Sequence, residues 1–327
     1  MATVLLARED VQALLSPEVC VDAVEDALRR LALGSVPPPA ILGMHAAEGG
    51  FHVKAGLLAS DREYFAAKVN ANFPRNASRF GLPTIQGAVL LFDAGNGRLL
   101  AIMDSMAITA LRTAAATAVA AKHLARASCP SALICGCGGQ ALEQLRALAC
   151  VRNVERVFAY DVDSAKASAF AQAARRATGL SVSPVEDLKG AMRASDIVIT
   201  CTTAKRFFVT PDMVRPGTFI AAVGADNEEK QEIAPELLER SKVVTDATEQ
   251  AARIGDLHHA IVAGRMTVAD VHAELADLVA GHRPGRENDE EVTVFDSTGT
   301  GLQDVAAAIA VYRRAMQSGS GMPCQLG

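Results

Sequence analysis

The chain has 327 residues, half of them apolar and 21% charged; that composition excludes a disordered protein and suits one large or two medium domains. No apolar run approaches the roughly 18 residues that span a bilayer. With 32 Lys and Arg against 37 Asp and Glu the net charge is −5, and no basic cluster stands out, so nucleic acid and membranes are excluded as partners and a small-molecule substrate is expected. Seven cysteines make an odd set, and residues Met1–Asp10 lack the basic start and apolar core of an export signal, which predicts a cytoplasmic protein with free thiols. Cys135 and Cys137 are the one close pair, with no second pair or neighbouring histidine, so no metal site is expected.

In chain order, Ser16-Pro17-Glu18 predicts a helix start: serine caps, proline takes the first turn and glutamate meets the positive end of the dipole. That helix is expected to end at Gly34, before Pro37-Pro38-Pro39. Between Ala40 and Ile102 the pattern becomes short β-like runs, Phe51–Leu57, Tyr64–Asn70, Gly87–Phe92 and Leu99–Met103, separated by Gly, Pro and Asn, the signature of an antiparallel α+β unit. A long alanine-rich helix is predicted over Ala107–Ala127. After it strands and helices alternate: Ala132–Cys135, helix to Ala149, Arg156–Tyr160, helix to Ala177, then Asp196–Thr200, Thr218–Val223 and Lys242–Thr245. This rhythm predicts an α/β doubly wound parallel sheet. A polar loop at Gly281–Glu291, a strand at Val292–Phe295 and a helix at Gly301–Met316 close the chain, and that helix is expected to pack back on the first lobe. The domain reading is therefore 1–106 plus 301–327 for substrate and dimerisation, with 107–300 as a Rossmann dinucleotide-binding domain set into it.

Ala132-Leu-Ile-Cys-Gly136-Cys-Gly138-Gly139-Gln140-Ala141 reads as a buried strand, a tight turn and a helix start, spaced Gly-x-Gly-x-x-Ala. Glycines let the turn close and the backbone approach a pyrophosphate, whose charge meets the free N–H groups of the helix start. A second strand ends at Asp161, 23 residues past Gly138, where a carboxylate can accept from ribose hydroxyls and repels a 2′-phosphate. That favours NAD, with NADP possible. The alternative is that Asp161 caps the helix beginning near Ser164.

Several linked motifs carry a resemblance over nearly the whole chain: Gly81-Leu-Pro-Thr-Ile-Gln-Gly87, Ala107-Ile-Thr-Ala-Leu-Arg112-Thr-Ala-Ala-Ala, the glycine turn, Lys68-Val-Asn-x-x-Phe-Pro, Leu91-Phe-Asp, Gly224-Ala-Asp226 with Lys230-Gln-Glu232, and Phe295-Asp-Ser-Thr-Gly299. In order and spacing the sequence resembles the ornithine cyclodeaminase/μ-crystallin family. The resemblance implies an N-terminal lobe that binds substrate and forms a homodimer. It also implies catalytic roles for Asp226 and Lys68, and substrate binding by Lys68, Arg112 and Thr298. Cofactor contacts would come from Thr84, Arg112, Gly136, Gly138, Gly139, Gln140, Asp161, Thr202, Lys230 and Ser297.

Residue chemistry agrees in part. Arg112, read as lying in the first turn of its helix, would gain nothing from the dipole, so an anionic ligand accounts for it better than helix stability does. Lys68 lies in a strand pattern, where a lone lysine usually faces solvent, and Asp226 follows a strand end, where aspartate also forms turns. Asn227-Glu228-Glu229 replaces the family's usual Pro-Gly. No arginine occurs between Arg30 and Arg62, where cyclodeaminases carry one for the amino-acid carboxylate; Phe51-His52-Val-Lys54 offers Lys54 instead, either as the missing cation or as an exposed lysine on an edge strand. His258 and His259 read as solvated, and Cys135 and Cys137 as fillers of small spaces. This His-x-Lys-Ala pattern looks more like imine or ketimine reductases than true cyclodeaminases. The expected activity is NAD(P)H-dependent reduction of a small cyclic imino acid such as Δ1-pyrroline-2-carboxylate. The alternatives are ornithine cyclodeaminase, which makes proline and ammonia with recycled NAD, and a non-catalytic binding protein.

Overall fold

The computed structural model describes residues 2–326. Its contacts divide the chain into two compact units, Met1–Arg112 with Thr300–Gly327, and Thr113–Gly299. The first part runs β1 (Thr3–Leu6), α1 (Arg8–Leu14), α2 (Pro17–Ala32), β2 (Ala40–Ala46), β3 (Gly49–Ala59), β4 (Glu63–Asn72), α3 (Asn76–Phe80), β5 (Ile85–Asp93), β6 (Leu99–Asp104) and α4 (Ser105–Leu124). The middle part runs β7 (Ser131–Cys135), α5 (Ala141–Val151), β8 (Arg156–Tyr160), α6 (Ser164–Thr178), β9 (Ser181–Pro184), α7 (Leu188–Arg193), β10 (Ile197–Thr200), β11 (Lys205–Val209), β12 (Phe219–Ala222), β13 (Gln231–Ile233) and α8 (Pro235–Leu238). It continues through β14 (Lys242–Thr245), α9 (Thr248–Ile254), α10 (Asp256–Val262), β15 (Ala273–Glu274), α11 (Leu275–Val279) and β16 (Thr293–Asp296), and α12 (Gly301–Ser318) and β17 (Met322–Cys324) end the chain.

In the first unit seven strands form one sheet in the order β17-β1-β6-β5-β4-β3-β2, antiparallel except for the parallel pair β1 and β6. The four runs read from sequence all form strands; β1, β2 and β17 were not read. β2 has no buried residue and so lacks the alternation that marks a strand. Ser16 does cap α2, accepting from the Val19 amide at 3.4 Å. α4 starts two residues earlier than expected because the Asp104 carboxylate accepts from the Ala107 amide at 2.7 Å.

α12 covers the inner face of this sheet, and its first half is buried on every side. Close approach is possible because Gly301 has no side chain: a Cβ there would lie 2.6 Å from the Ala55 carbonyl oxygen of β3. Burial on β4 alternates, with Tyr64, Ala66 and Lys68 inward. Register then lines up Lys54, Lys68, Val89 and Met103 across β3, β4, β5 and β6 on the covered face.

The second unit holds an eight-stranded parallel sheet in the order β15-β14-β16-β12-β10-β7-β8-β9, with β11 and β13 paired apart. Chain direction across the sheet reverses between β7 and β10, and there the turn after β7 meets the segment after β10. The fold is mixed α/β with a Rossmann-type domain. All five residues of β7 are buried, as a central parallel strand requires. All seven cysteines are free.

Gly301→Ala is expected to destabilise the first unit by about 1–3 kcal/mol, since the added methyl meets backbone that cannot swing aside. An unchanged urea midpoint would show that α12 tolerates a wider seat.

Candidate active site

The first unit gathers its buried charged residues around one carboxylate. Asp304, in the first turn of α12 and 1% exposed, receives the Lys68 ammonium on Oδ1 at 2.8 Å and the Arg112 Nε on the same oxygen at 2.9 Å. Lys68 also donates to Thr109 at 3.1 Å, and Arg112 Nη1 donates to the Gln303 side chain at 2.9 Å. Both cations are buried. Burial, the Arg112 charge and the Lys54 charge pull the Lys68 ammonium down to about 7, and Asp304 only partly offsets them. Burial alone would raise Asp304, but the Lys68 and Arg112 charges outweigh it and hold the carboxyl below its ordinary value. Asp304 Oδ2 and Gln303 Nε2 are buried without a hydrogen-bond partner among the described residues, so an acceptor and a donor remain to be satisfied.

Three sequence expectations change here. Lys68 is not solvent-facing: it shares the inward parity of Tyr64 and Ala66. Arg112 lies about two turns into α4, not in its first turn, so the dipole argument does not apply to it; burial beside an acid does. Lys54 is not on an edge strand, because β3 is paired on both sides; it sits half-buried, directly across from Lys68. Asp304 and Gln303 were missed. An acid in an otherwise apolar helix start was the available signal, but acids are common there. Thr84, just before β5, is half-buried and accepts the Phe73 amide on its carbonyl at 2.8 Å.

In the second unit Gly136 takes φ +94°, and a Cβ would meet the Cys201 carbonyl oxygen at 2.8 Å, so only glycine fits where the β7 turn meets the β10 end. Gly138 and Gly139 face open space, leaving the backbone approachable. Gln140 precedes α5, and its Oε1 is buried without a partner among the described residues. Asp161 accepts from the Cys137 amide at 2.8 Å and the Asp163 amide at 3.0 Å. It therefore braces the glycine turn; the cap of α6 is Asp163, which takes the Ala165 and Lys166 amides, so the capping alternative for Asp161 fails.

Glu232 organises the next strand ends. Fully buried, it accepts from the Thr200 hydroxyl at 2.6 Å, the Thr202 amide and hydroxyl at 2.7 and 2.6 Å, and the Gly224 amide at 2.8 Å. Burial nevertheless raises its carboxyl above the usual range. Thr202 is thereby fixed beside the glycine turn. Asp226, half exposed after β12, pairs with Lys230 at 2.6 Å. His259, read as solvated, instead bonds the Lys230 carbonyl at 2.9 Å, and His258 bonds that of Ala252 at 3.2 Å. After β16, Thr298 gives its amide and hydroxyl to the buried Asp246, whereas the buried Ser297 hydroxyl has no partner among the described residues. The group of three or more His, Cys, Asp or Glu needed for a metal is absent among the described residues.

These residues fit a dinucleotide. The turn is open at Gly138 and Gly139, the orphaned Gln140 and Ser297 oxygens await partners, and an acid closes the neighbouring strand. Fold and site define a Rossmann-type oxidoreductase, and its first unit holds two buried cations around one buried acid. The chain belongs to the ornithine cyclodeaminase/mu-crystallin family, whose model matches residues 1–319. Among solved structures, an archaeal alanine dehydrogenase dimer with bound NAD is 37% identical, with all of both chains covered and a TM-score of 0.95. The Thermococcus litoralis Δ1-pyrroline-2-carboxylate reductase in complex with NADH and L-proline is 35% identical over 98% of this chain and 100% of that one, with a TM-score of 0.93. The iminosuccinate reductase of Paracoccus denitrificans, in complex with NAD+, is 31% identical over all of both chains, with a TM-score of 0.92.

Asp304→Asn leaves two buried cations without a counterion and is expected to cost about 3 kcal/mol of stability, part of it recovered in an Asp304→Asn/Lys68→Met double variant. Additive losses in that cycle would show that Lys68 and Asp304 do not depend on each other.

Proposed function

We propose that this chain is an NADH-dependent reductase of small α-imino acids, with Δ1-pyrroline-2-carboxylate, reduced to proline, as the first substrate to test. One observation carries the reading: Lys68 and Arg112, both buried, share a single buried carboxylate oxygen. A net positive charge held out of water is costly, and a substrate carboxylate offsets it. The three relatives whose structures fit this chain so closely support the same reading, since imino acids formed in or given to such enzymes carry C=N next to a carboxylate.

Lys68 has three N–H groups and spends two on Asp304 and Thr109; the third binds the substrate carboxylate together with Arg112 Nη2. Lys54 adds a third positive charge to the same face of the sheet. With its affinity for a proton near neutrality, Lys68 is also matched to proton donation at the imine nitrogen. Asp226, which Lys230 orients, would bind the positively charged nitrogen as a carboxylate. Gly136, Gly138, Gly139 and Gln140 would hold the pyrophosphate, Asp161 the adenosine ribose, and Thr84, Arg112, Thr202, Lys230 and Ser297 the remainder; Thr298 would line the substrate side. When bound, NADH supplies the hydride that goes to the imine carbon as a proton goes to nitrogen, leaving an amine and NAD+.

Stoichiometric NADH oxidation with pyrroline-2-carboxylate is expected, with little ammonia from ornithine, whose extra cation would approach Lys54 and Lys68. Ammonia and proline from ornithine with no net NADH change would make the cyclodeaminase the better reading. The kcat/KM for reduction should be flat below about pH 7 and fall above it, because the free enzyme's Lys68 loses its proton there. A profile with no neutral inflection would remove Lys68 from the mechanism.

A homodimer is part of the proposal. The edge strand β2 is exposed along its length, and Ile41, Leu42, Met44, Phe51 and Val69 are exposed on this sheet. An uncovered edge beside an apolar patch calls for a partner, and a second copy supplies one. Sedimentation should give a dimer at micromolar concentration, and Leu42→Asp/Met44→Asp should give monomers; a monomeric wild type would contradict the assignment.

A further inference from the structure

The amino-terminal ends of β7, β8 and β10 lie at the opposite end of the second unit's sheet from the glycine turn, and they border a recess of about 700 Å³. Four arginines line it from separate segments: Arg126 after α4, Arg156 at the start of β8, Arg193 at the end of α7 and Arg215 before β12. Against them stand two carboxylates, Asp196 and Asp289, leaving two positive charges in excess.

The arginines divide into a scaffold pair and a free pair. Arg126 and Arg215 both reach Asp196 Oδ1, while Ser131 gives its amide at 3.1 Å and its hydroxyl at 2.6 Å to Asp196 Oδ2. Asp196 is 5% exposed, and this net of donors, with the Arg215 and Arg126 charges, overcomes its burial and keeps it below the usual carboxylate range. Its charge is spent inside the wall. Arg193 bonds only the Asp212 carbonyl, at 3.1 Å from Nε and 2.8 Å from Nη2, and has no carboxylate partner among the described residues. The exposed Arg156 side chain has neither a hydrogen bond nor an ion pair among them.

Closing the end of a helix accounts for Arg193 and Arg215, whose guanidiniums reach carbonyls at 195 and 212. It does not account for Arg156, which begins a strand and has no side-chain partner among the described residues, or for the clustering of four like charges on one concavity. Like charges gathered this way raise the local concentration of anions, and the planar guanidinium fork matches carboxylate and phosphate oxygens alike.

We propose that this recess is a second ligand site, for a small oxyanion carrying two or more negative charges, either a polycarboxylate or a phosphate ester. Arg156 and Arg193 grip it, and Arg126 and Arg215 are held in the wall by Asp196. The site is independent of the dinucleotide turn and of the proposed reductase activity. Its volume is that of a small-molecule pocket, several times larger than one phosphate needs.

The test titrates citrate and pyrophosphate separately into the full-length protein by calorimetry, at ionic strength fixed with sodium chloride and with or without saturating NADH. Saturable binding of one probe, unchanged by NADH and weakened about tenfold or more in Arg156→Ala/Arg193→Ala, is expected, because each lost charge-assisted contact is worth about that factor. The better-binding probe identifies the source, carboxylate or phosphate. The double variant should keep its NADH-dependent activity within about twofold, as neither residue belongs to the machinery described above. Equal binding by the double variant, displacement of the probe by NADH, or no saturable signal from either probe would overturn the proposal.

Discussion

The first unit depends on one carboxylate. Asp304 enters the sheet's covered face on the first turn of α12, and its Oδ1 alone pairs with two buried cations from different elements, Lys68 on β4 and Arg112 on α4. Three things follow from this shortage of negative charge. Burial together with that shortage brings the proton affinity of Lys68 down to about 7, the face favours an anion, and α12 cannot be removed without stranding charge. Gly301 matters for the same reason, since the helix must start hard against β3 for its acid to reach inward.

Glu232 plays the corresponding part in the second unit with the opposite sign. It gathers four donors from the ends of β10 and β12, and buried acids continue the pattern behind it: Asp256 takes the Glu232 and Ile233 amides, and Asp296 takes the Asp256 and Leu257 amides. Burial pushes Asp256 well above the normal range and Asp296 to about 7. Backbone amides and threonine hydroxyls, not cations, hold these acids, so loops at the carboxyl ends of the strands are fixed without spending positive charge near the glycine turn. The chain thus separates two kinds of fixing: excess cation on the covered face of the first sheet, and hydrogen-bonded acid at the strand ends of the second.

Motif spacing carried much of this architecture at the level of the chain. Period-two patterns gave β3 to β6, and strict strand-helix alternation gave the parallel sheet. The glycine turn with an acid one strand later gave the dinucleotide fold, because turn closure and close backbone approach require residue types that a sequence displays directly. β1, β2 and β17 escaped for the reverse reason: the short β1 and β17 and the fully exposed edge strand β2 leave no burial alternation to read.

Side-chain partners were another matter. By itself the sequence determined the family to which the chain belongs, and it singled out candidates for the chemistry, Lys54, Lys68, Arg112, Asp161 and Asp226 among them. It could not tell that Lys68 faces inward, that Lys54 stands opposite it on an interior strand, or that Asp163 and not Asp161 caps α6. Nor could it bring Asp304 to a lysine 236 residues earlier, or four arginines to one recess. Local spacing fixes backbone conformation through contacts a few residues apart. Burial, pairing and proton affinity are set by what the far parts of the chain bring alongside, and only the tertiary structure decides that.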